Sequence, residues 1–173
     1  MKLSENMHMA LNEQVAREFT AHFLYRAIAF DLYERGYQGF SAWMENHARE
    51  EYGHAEKIIT YLKDKNVPVF LKDISLTDKK WGNPKSAIEA ALAHEEWLTE
   101  KIHILHDLAS EENDKTSILL LDWFVEEQQE EEKIVNDLLK RINLCDSSPV
   151  GLMLIDAELN SGAPMTAVST QAE

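Results

Sequence analysis

Residues 44–58 read MENHAREEYGHAEKI and place polar side chains where a bundled helix normally buries apolar ones. Positions on the inner face of such a helix follow alternating steps of three and four residues. Met44 and Ile58 give this face apolar ends, but Glu51 and His54 interrupt its middle. The Glu-x-x-His spacing puts both side chains on one face and directs them at one point. The segment therefore predicts a helix that carries functional polar side chains in the middle of its buried face.

Three further segments show the same interruption at a similar depth. The interrupting residues are Glu18 on the first segment, Glu95 on the third, and Gln128 with Glu131 on the fourth. A buried carboxylate without a partner costs roughly several kcal/mol, and no Lys or Arg lies on these faces near the interruptions. Four carboxylates carry a charge of −4, which two divalent cations would balance. Oxygen-rich ligands with an imidazole suit iron or manganese better than zinc.

Helix-breaking residues divide the chain into four long helices and one short apolar helix. We predict them at residues 4–35, 40–65, 84–112, 115–143 and 150–160. Short connections make helices one and two, and helices three and four, antiparallel hairpins. The roughly 18 residues between helices two and three are long enough to run the height of a bundle. The sequence thus predicts an all-α fold in which two antiparallel hairpins, joined by a long crossover, form a four-helix bundle with a fifth helix at the C-terminus.

Length, charge and cysteine content limit the functions that the chain can have. The 173 residues predict one domain over 1–160, followed by a flexible tail over 161–173. The net charge of −14 argues against binding of nucleic acid and of anionic membranes. Cys145 is the single cysteine, so no intrachain disulfide forms. No apolar run approaches a membrane span and the N-terminus lacks a signal-peptide pattern, so we expect a cytoplasmic protein.

These residues together resemble the ferritin family, and most closely its bacterial haem-free members, over about residues 11–160. Any one of the motifs that carry the resemblance is weak by itself, whereas their combination is specific. The matching stretches are LNEQ at 11–14, HAREE at 47–51 with His54, HE at 94–95, EQQEEEK at 127–133, and GL at 151–152 with IDAEL at 155–159.

The resemblance implies a di-iron centre within one subunit. In the family pattern, Glu18, Glu51 and His54 hold the first iron. Glu51 bridges to a second iron, which Glu95 also holds. Gln128 lies close to the second iron, and whether it touches metal is open. We expect these five residues to carry the oxidation of iron.

The resemblance also implies residues around this centre. Glu131 lies where bacterial members hold the second iron or bridge to a third, and Glu50, Glu127 and Glu130 fit that third site. A solvated acidic face explains Glu127 and Glu130 about equally well. Tyr25 matches a tyrosine beside the centre that serves as electron donor or hydrogen-bond partner. An ordinary core tyrosine is an equally good interpretation.

Several positions depart from the family pattern. The haem-binding relatives have a histidine where this chain has Glu131, so we predict no haem. Residues 118–121 read ILLL where animal ferritins line an iron channel with acids, which leaves the route of iron entry open. His22 and His47 are unexpected on the inner faces. We interpret each as a core histidine or one that supports a ligand, with direct ligation as the minority interpretation.

The function implied by the resemblance is iron oxidation and storage. Fe(II) is oxidised by O2 or peroxide, and the ferric mineral collects in a hollow shell of 24 identical subunits, closed by the short fifth helix at a four-fold axis. Two alternatives stay open. One is a di-iron oxidase of the same fold that stores no iron, and the other is a metal-free helical assembly protein with tolerated core carboxylates.

Overall fold

The computed structural model describes residues 3–74 and 79–161. Within those ranges the chain forms five helices and no strand, which confirms the predicted all-α fold. The helices are α1 Glu5–Glu34, α2 Gln38–Asp64, α3 Pro84–Glu111, α4 Lys115–Leu144 and α5 Pro149–Asn160. Among these described helices, none combines the length and apolar character needed to cross a membrane. Nearly all of the predicted tail, residues 162–173, lies outside the described residues.

Local capping explains where the helices begin and end. The Ser4, Asn83 and Ser148 side chains accept hydrogen bonds from the first-turn N–H groups of α1, α3 and α5. At the end of α1, Gly36 has φ +89°, and the next N–H returns to the Leu32 carbonyl at 3.0 Å. That left-handed conformation strains any residue with a Cβ, so glycine fits the reversal into α2. Capping therefore produces the first tight hairpin.

The bundle pairs α1 with α2 and α3 with α4, as predicted from the short connections. Its interior consists of two apolar clusters rather than one continuous core. One cluster surrounds Leu32, Phe40 and Leu138, and the other surrounds Leu11, Ile58 and Phe124. The interrupted inner faces of all four helices lie between these clusters. The apolar clusters thus provide the packing energy that holds the polar side chains of the middle in place.

The long crossover is tied to α1 by two buried polar side chains. The Asn12 carbonyl oxygen accepts the Phe70 N–H at 2.6 Å, and the Asp31 carboxylate accepts the Trp81 N–H at 2.8 Å. The crossover lies outside regular secondary structure, so its backbone N–H groups need other hydrogen-bond acceptors. Each of the two buried side chains accepts a hydrogen bond from an N–H group that would otherwise be unpaired.

The fifth helix packs on the start of α2. The Asp156 carboxylate accepts the Phe40 N–H at 2.9 Å, and the backbone of Asp156 lies directly over Gly39. Leu152 and Ile155 are buried in this contact. The opposite side of α5 is apolar and open, with Val150, Met153 and Leu154 exposed by 71%, 67% and 68%.

Candidate metal centre

Six polar side chains from the four long helices meet between the two apolar clusters. None of them is more than 5% exposed. They are Glu18 of α1, Glu51 and His54 of α2, Glu95 of α3, and Gln128 and Glu131 of α4. All six were predicted from the interrupted inner faces, and the fold brings them to one level of the bundle.

The most buried group consists of Glu18, Glu51 and His54. One ligand atom from each lies within 4.8 Å of the other two. Among the described residues, neither Glu51 carboxylate oxygen nor His54 Nδ1 has a hydrogen-bond partner, although each is buried, and His54 Nδ1 lies 3.4 Å from Glu51 Oε2 in an ion-pair contact. Buried polar atoms are almost always satisfied, so three orphaned atoms directed at one another need an explanation. A cation between the three side chains would supply one, because it would satisfy all of these atoms at once.

Glu18 is held in position by a chain of hydrogen bonds along α1. Gln14 Nε2 donates to Glu18 Oε1 at 2.7 Å, and Arg17 Nη1 donates to Gln14 Oε1 at 3.0 Å. Gln14 lies one helical turn before Glu18 and is completely buried. This contact leaves the second carboxylate oxygen of Glu18 for the group around Glu51.

On the other side of the centre, Glu95 accepts two hydrogen bonds. One comes from the Tyr25 hydroxyl and the other from Gln128 Nε2 at 3.1 Å. The same Gln128 amide nitrogen lies 3.3 Å from the Glu95 backbone carbonyl. Gln128 therefore acts as a hydrogen-bond donor to Glu95, and Tyr25 takes the hydrogen-bonding role that was one of its two predicted roles.

Two further groups extend the centre towards the outer side of α2 and α4. Both share Glu131. The first joins it to His47, whose Nδ1 lies 3.1 Å from Glu131 Oε2 and 3.2 Å from Glu50 Oε2. The second joins it to His54 and Glu127, with 3.8 Å between His54 Nε2 and Glu127 Oε1. Through Glu131, these two groups connect the buried His54 with the exposed Glu50 carboxylate.

The residues expected at the third iron site are thus divided between two groups. Glu50 lies with His47, and Glu127 lies with His54. Glu130 is exposed and belongs to none of the three groups found among the described residues. Its position on α4 directs it away from the inner face, as its one-step offset from Glu131 requires.

Burial controls the protonation of the metal-free centre. It raises the pKa of Glu18, and it raises the pKa of Glu95 from 4.5 to about 7. Burial and the charges of Glu95 and Glu18 raise the pKa of Glu51 well above its ordinary value. Burial opposes a charge on His47, but the hydrogen bond and charge of Glu131 outweigh it and raise the pKa of His47. Such carboxyls hold protons until a cation displaces them.

The family model described as ferritin, ferritin-like domain, matches residues 9–145 of the chain. The chain belongs to the ferritin family. This match spans all four helices of the bundle and every residue of the centre described above.

Individual ferritins support this membership along most of the chain. A probable bacterial non-heme ferritin-like protein of Haemophilus influenzae is 33% identical over 159 residues, covering 92% of this chain and 96% of the relative. A bacterial non-heme ferritin of Bacteroides fragilis is 30% identical over 157 residues, covering 91% and 98%. The open pore ferritin of the archaeon Archaeoglobus fulgidus has a TM-score of 0.88 and 32% identity, covering 91% of this chain and 97% of that one.

The sequence assigned no role to Gln14 at this centre, and for His47 it indicated a core or ligand-supporting histidine without indicating its partner. Gln14 orients Glu18, and only its spacing of four residues from Glu18 in a helix could have indicated the contact. His47 meets Glu131 across two helices, so no spacing along the chain could have indicated that pair. His22, the other unexpected histidine, lies with Nδ1 2.5 Å from the Ala48 carbonyl and belongs to none of the groups found. It therefore ties α1 to α2.

Proposed function

We propose that this protein oxidises Fe(II) at the buried centre, with O2 or peroxide as electron acceptor, and stores the ferric product in a shell of its own copies. The observation that carries the proposal is the set of orphaned buried atoms on Glu51 and His54 beside Glu18. Membership of the ferritin family supports iron as the metal and storage as the outcome.

In this proposal, iron is the substrate, and the carboxylates stabilise its Fe(III) state relative to Fe(II). Glu18, Glu51 and His54 bind the first Fe(II), and Glu51 bridges to a second that Glu95 holds. Clustered anions at low dielectric stabilise Fe(III) more than Fe(II), which favours loss of an electron from each iron. The overall step with O2 is 2 Fe(II) + O2 + 2 H⁺ → 2 Fe(III) + H2O2. Tyr25 and Gln128 keep Glu95 oriented by their hydrogen bonds.

The two outer groups support a path for the ferric product. His54 is shared by the buried group and the Glu127 group, and Glu131 is shared by the Glu127 group and the His47 group. An iron ion can therefore move from the buried group towards Glu50 by exchanging one ligand at a time. A third iron site at Glu50, Glu127 and Glu130 remains part of the proposal, with Glu50 and Glu130 exposed.

Assembly into a shell is supported by the open apolar side of α5 and by the shell-forming relatives. An exposed apolar surface of this kind is typical of a protein interface. We propose 24 subunits with α5 at the four-fold axis, a cytoplasmic setting, no haem, and no binding of nucleic acid or membrane.

Anaerobic titration with Fe(II), followed by rapid mixing with O2, tests the function directly. We expect two Fe(II) to bind per subunit and the ferric absorbance to rise with the consumption of O2. Crystals soaked anaerobically in Fe(II) and then exposed to air for set times should show iron first between Glu18, Glu51 and His54. Failure to bind Fe(II) favours the metal-free assembly protein, and a monomer or dimer that oxidises iron favours the oxidase that stores none.

A further inference from the structure

A chain of hydrogen bonds leads from the metal centre to the surface between α3 and α4. It begins at Glu95 Oε2, which accepts from Gln128 Nε2 at 3.1 Å, and it continues to the Thr99 hydroxyl, which lies 3.4 Å from the same nitrogen. The Thr99 hydroxyl in turn donates to Glu132 Oε1 at 2.5 Å. Glu95 and Gln128 are buried, whereas Thr99 and Glu132 are half-buried. The chain therefore links a buried carboxylate with one at the surface.

The chemistry of its members gives this chain a single direction. The Thr99 hydroxyl has one hydrogen and donates it to Glu132, so its oxygen can only accept from Gln128. The Gln128 amide therefore turns its nitrogen towards Thr99. The same nitrogen then faces the Glu95 carboxylate and, at 3.3 Å, the Glu95 backbone carbonyl. With the amide turned over, its oxygen would face acceptor oxygens without a hydrogen between them, which costs free energy.

Glu132 maintains this direction from the surface. Without an acceptor at Glu132, the Thr99 hydroxyl could turn its hydrogen towards Gln128. That hydrogen would stabilise the amide in the opposite orientation, in which the Gln128 oxygen repels the Glu95 carboxylate. The orientation of a buried amide at the metal centre thus depends on a half-buried carboxylate that does not contact the centre itself.

We propose that Thr99 and Glu132 are positioning residues for the second iron, and that they act by fixing Gln128 as a hydrogen-bond donor to Glu95. The inference rests on the proposed function, in which Glu95 holds that iron. Tyr25 donates to one Glu95 oxygen and Gln128 to the other, so the two donors together fix the plane of the carboxylate. Loss of one donor leaves the carboxylate free to rotate, and outer partners of this kind change metal affinity by about 10- to 100-fold.

The first iron provides an internal reference for this effect. Its proposed ligands, Glu18, Glu51 and His54, lie on α1 and α2, and Gln14 of α1 orients Glu18. The chain through Thr99 belongs instead to α3 and α4. A change in this chain should therefore weaken binding of the second ion and leave binding of the first ion unchanged.

Substitutions at the two positions separate positioning from packing. Thr99→Val keeps the shape of the side chain but removes the hydroxyl, and Thr99→Ser restores the hydroxyl. Glu132→Leu removes the acceptor of the Thr99 hydrogen, whereas Glu132→Gln keeps an oxygen acceptor. Thr60→Val on α2 and Glu96→Leu on α3, both at exposed positions, are the matched controls for loss of a hydroxyl and of a carboxylate.

Anaerobic titration with Co(II), a redox-inert substitute for Fe(II), tests the proposal on intact metal-free assemblies. Calorimetry and visible absorbance count the bound ions and give the affinity of each. We expect two Co(II) per subunit in wild type, and in Thr99→Val and Glu132→Leu a second ion that binds about 10-fold more weakly or worse, with the first unchanged. Thr99→Ser, Glu132→Gln and both controls should match wild type. Thr99→Val combined with Glu132→Leu should bind no more weakly than Thr99→Val alone, because Glu132 acts through Thr99.

Several results of this titration would overturn the inference. Wild-type affinity for the second Co(II) in Thr99→Val would show that the hydroxyl does not position Glu95. Equal losses at both Co(II) sites, or equal losses in Thr99→Val and Thr99→Ser, would show a packing effect. Additive losses in the double variant would show that Glu132 does not act through Thr99.

Crystal structures of the metal-free variants distinguish failure of this inference from failure of the proposed function. Gln128 should rotate away from Glu95 in Thr99→Val and keep its contact in Thr99→Ser, a result that needs no metal. If Gln128 keeps its contact in every variant while wild type oxidises Fe(II) with O2, only the inference is wrong. If Gln128 rotates as expected but wild type neither binds two Co(II) nor oxidises Fe(II), the proposed function is wrong, and the role assigned to Thr99 and Glu132 at the second iron falls with it.

Discussion

Glu51 is the residue on which the centre most depends. Its two carboxylate oxygens are buried without a hydrogen-bond partner among the described residues, and its neighbours are themselves acidic. In a metal-free protein this arrangement costs stability, because burial and like charge both oppose ionisation. A cation would reverse both effects, so the carboxylate that destabilises the metal-free fold is the one that we propose as a shared metal ligand.

Glu51→Ala should abolish rapid oxidation while the bundle still folds. Loss of a shared ligand should slow oxidation by more than the roughly 100-fold that loss of an outer partner of a ligand can cost. The metal-free variant should be as stable as wild type or more stable, since a buried carboxyl group without a hydrogen-bond partner is removed. Stopped-flow absorbance measures the rate, and Glu56→Ala on the same helix is the matched control. A wild-type rate in Glu51→Ala would place the centre elsewhere.

Glu95 makes the stability of the metal-free protein depend on pH. Its pKa is raised from 4.5 to about 7, so the folded state binds more protons than the unfolded state between these values. The free energy of unfolding should therefore fall as pH rises through this range, with about 3 kcal/mol as the upper limit for Glu95 alone. Denaturant unfolding of metal-free protein at pH 5 and pH 7.5 measures the change. Glu95→Gln should flatten it, and an unchanged slope in that variant would contradict the assignment.

Variants of Glu130 and His47 distinguish two routes for the ferric product. One route involves Glu130, and the other runs through Glu50 and Glu131, which His47 contacts. Glu130→Ala should leave binding of the first two irons intact and change the Fe(II) consumed per O2 or the fate of the ferric product. His47→Ala should have the larger effect if the path runs through Glu50 and Glu131, since His47 contacts both. Anomalous density for iron after long aerobic soaks locates the ion in each variant. No change in either variant would make Glu50, Glu127 and Glu130 an ordinary solvated acidic face.

At the scale of whole elements, α5 depends on close approach to the first turn of α2. A Cβ added at Gly39 would lie 1.8 Å from the Asp156 carbonyl oxygen, so backbone would have to move. Gly39→Ala should lower the free energy of unfolding by about 1–3 kcal/mol and loosen α5. Gly53→Ala in the same helix is the control, because its Cβ meets nothing within 4 Å and alanine favours a helix by about 1 kcal/mol. Denaturant unfolding and amide exchange of α5 compare them.

The sequence predicts some features of the elements better than others. The difference depends on how far apart along the chain the contacting residues lie. Helix ends depend on contacts within a few residues, such as the reversal at Gly36, so a single sequence reveals them. The inner-face ligands follow from helical periodicity combined with the cost of burying charge. The Asn12 contact with the crossover joins residues 58 apart, and the His47–Glu131 contact joins residues 84 apart. Neither pair leaves a periodic signal, so only the folded structure reveals them.

At the scale of the whole molecule, the two faces of α5 have different roles. Leu152 and Ile155 belong to the bundle's own apolar cluster, so removing the whole helix also damages the subunit. Met153 and Leu154 are exposed and contribute little to that cluster, so changing them tests assembly alone. The sequence alone predicted a short apolar helix here, but not which of its residues face outward.

Deleting residues 150–173 should impair closure of the shell or its solubility, because an apolar contact between subunits is lost. Met153→Lys combined with Leu154→Lys should give the same loss of assembly with subunits that keep their helical content. Deleting only residues 162–173 leaves α5 in place and serves as the control for both. Sedimentation velocity and light scattering measure assembly, and circular dichroism measures folding. A stable shell of unchanged size in both the deletion and the double lysine variant would show that α5 does not close it.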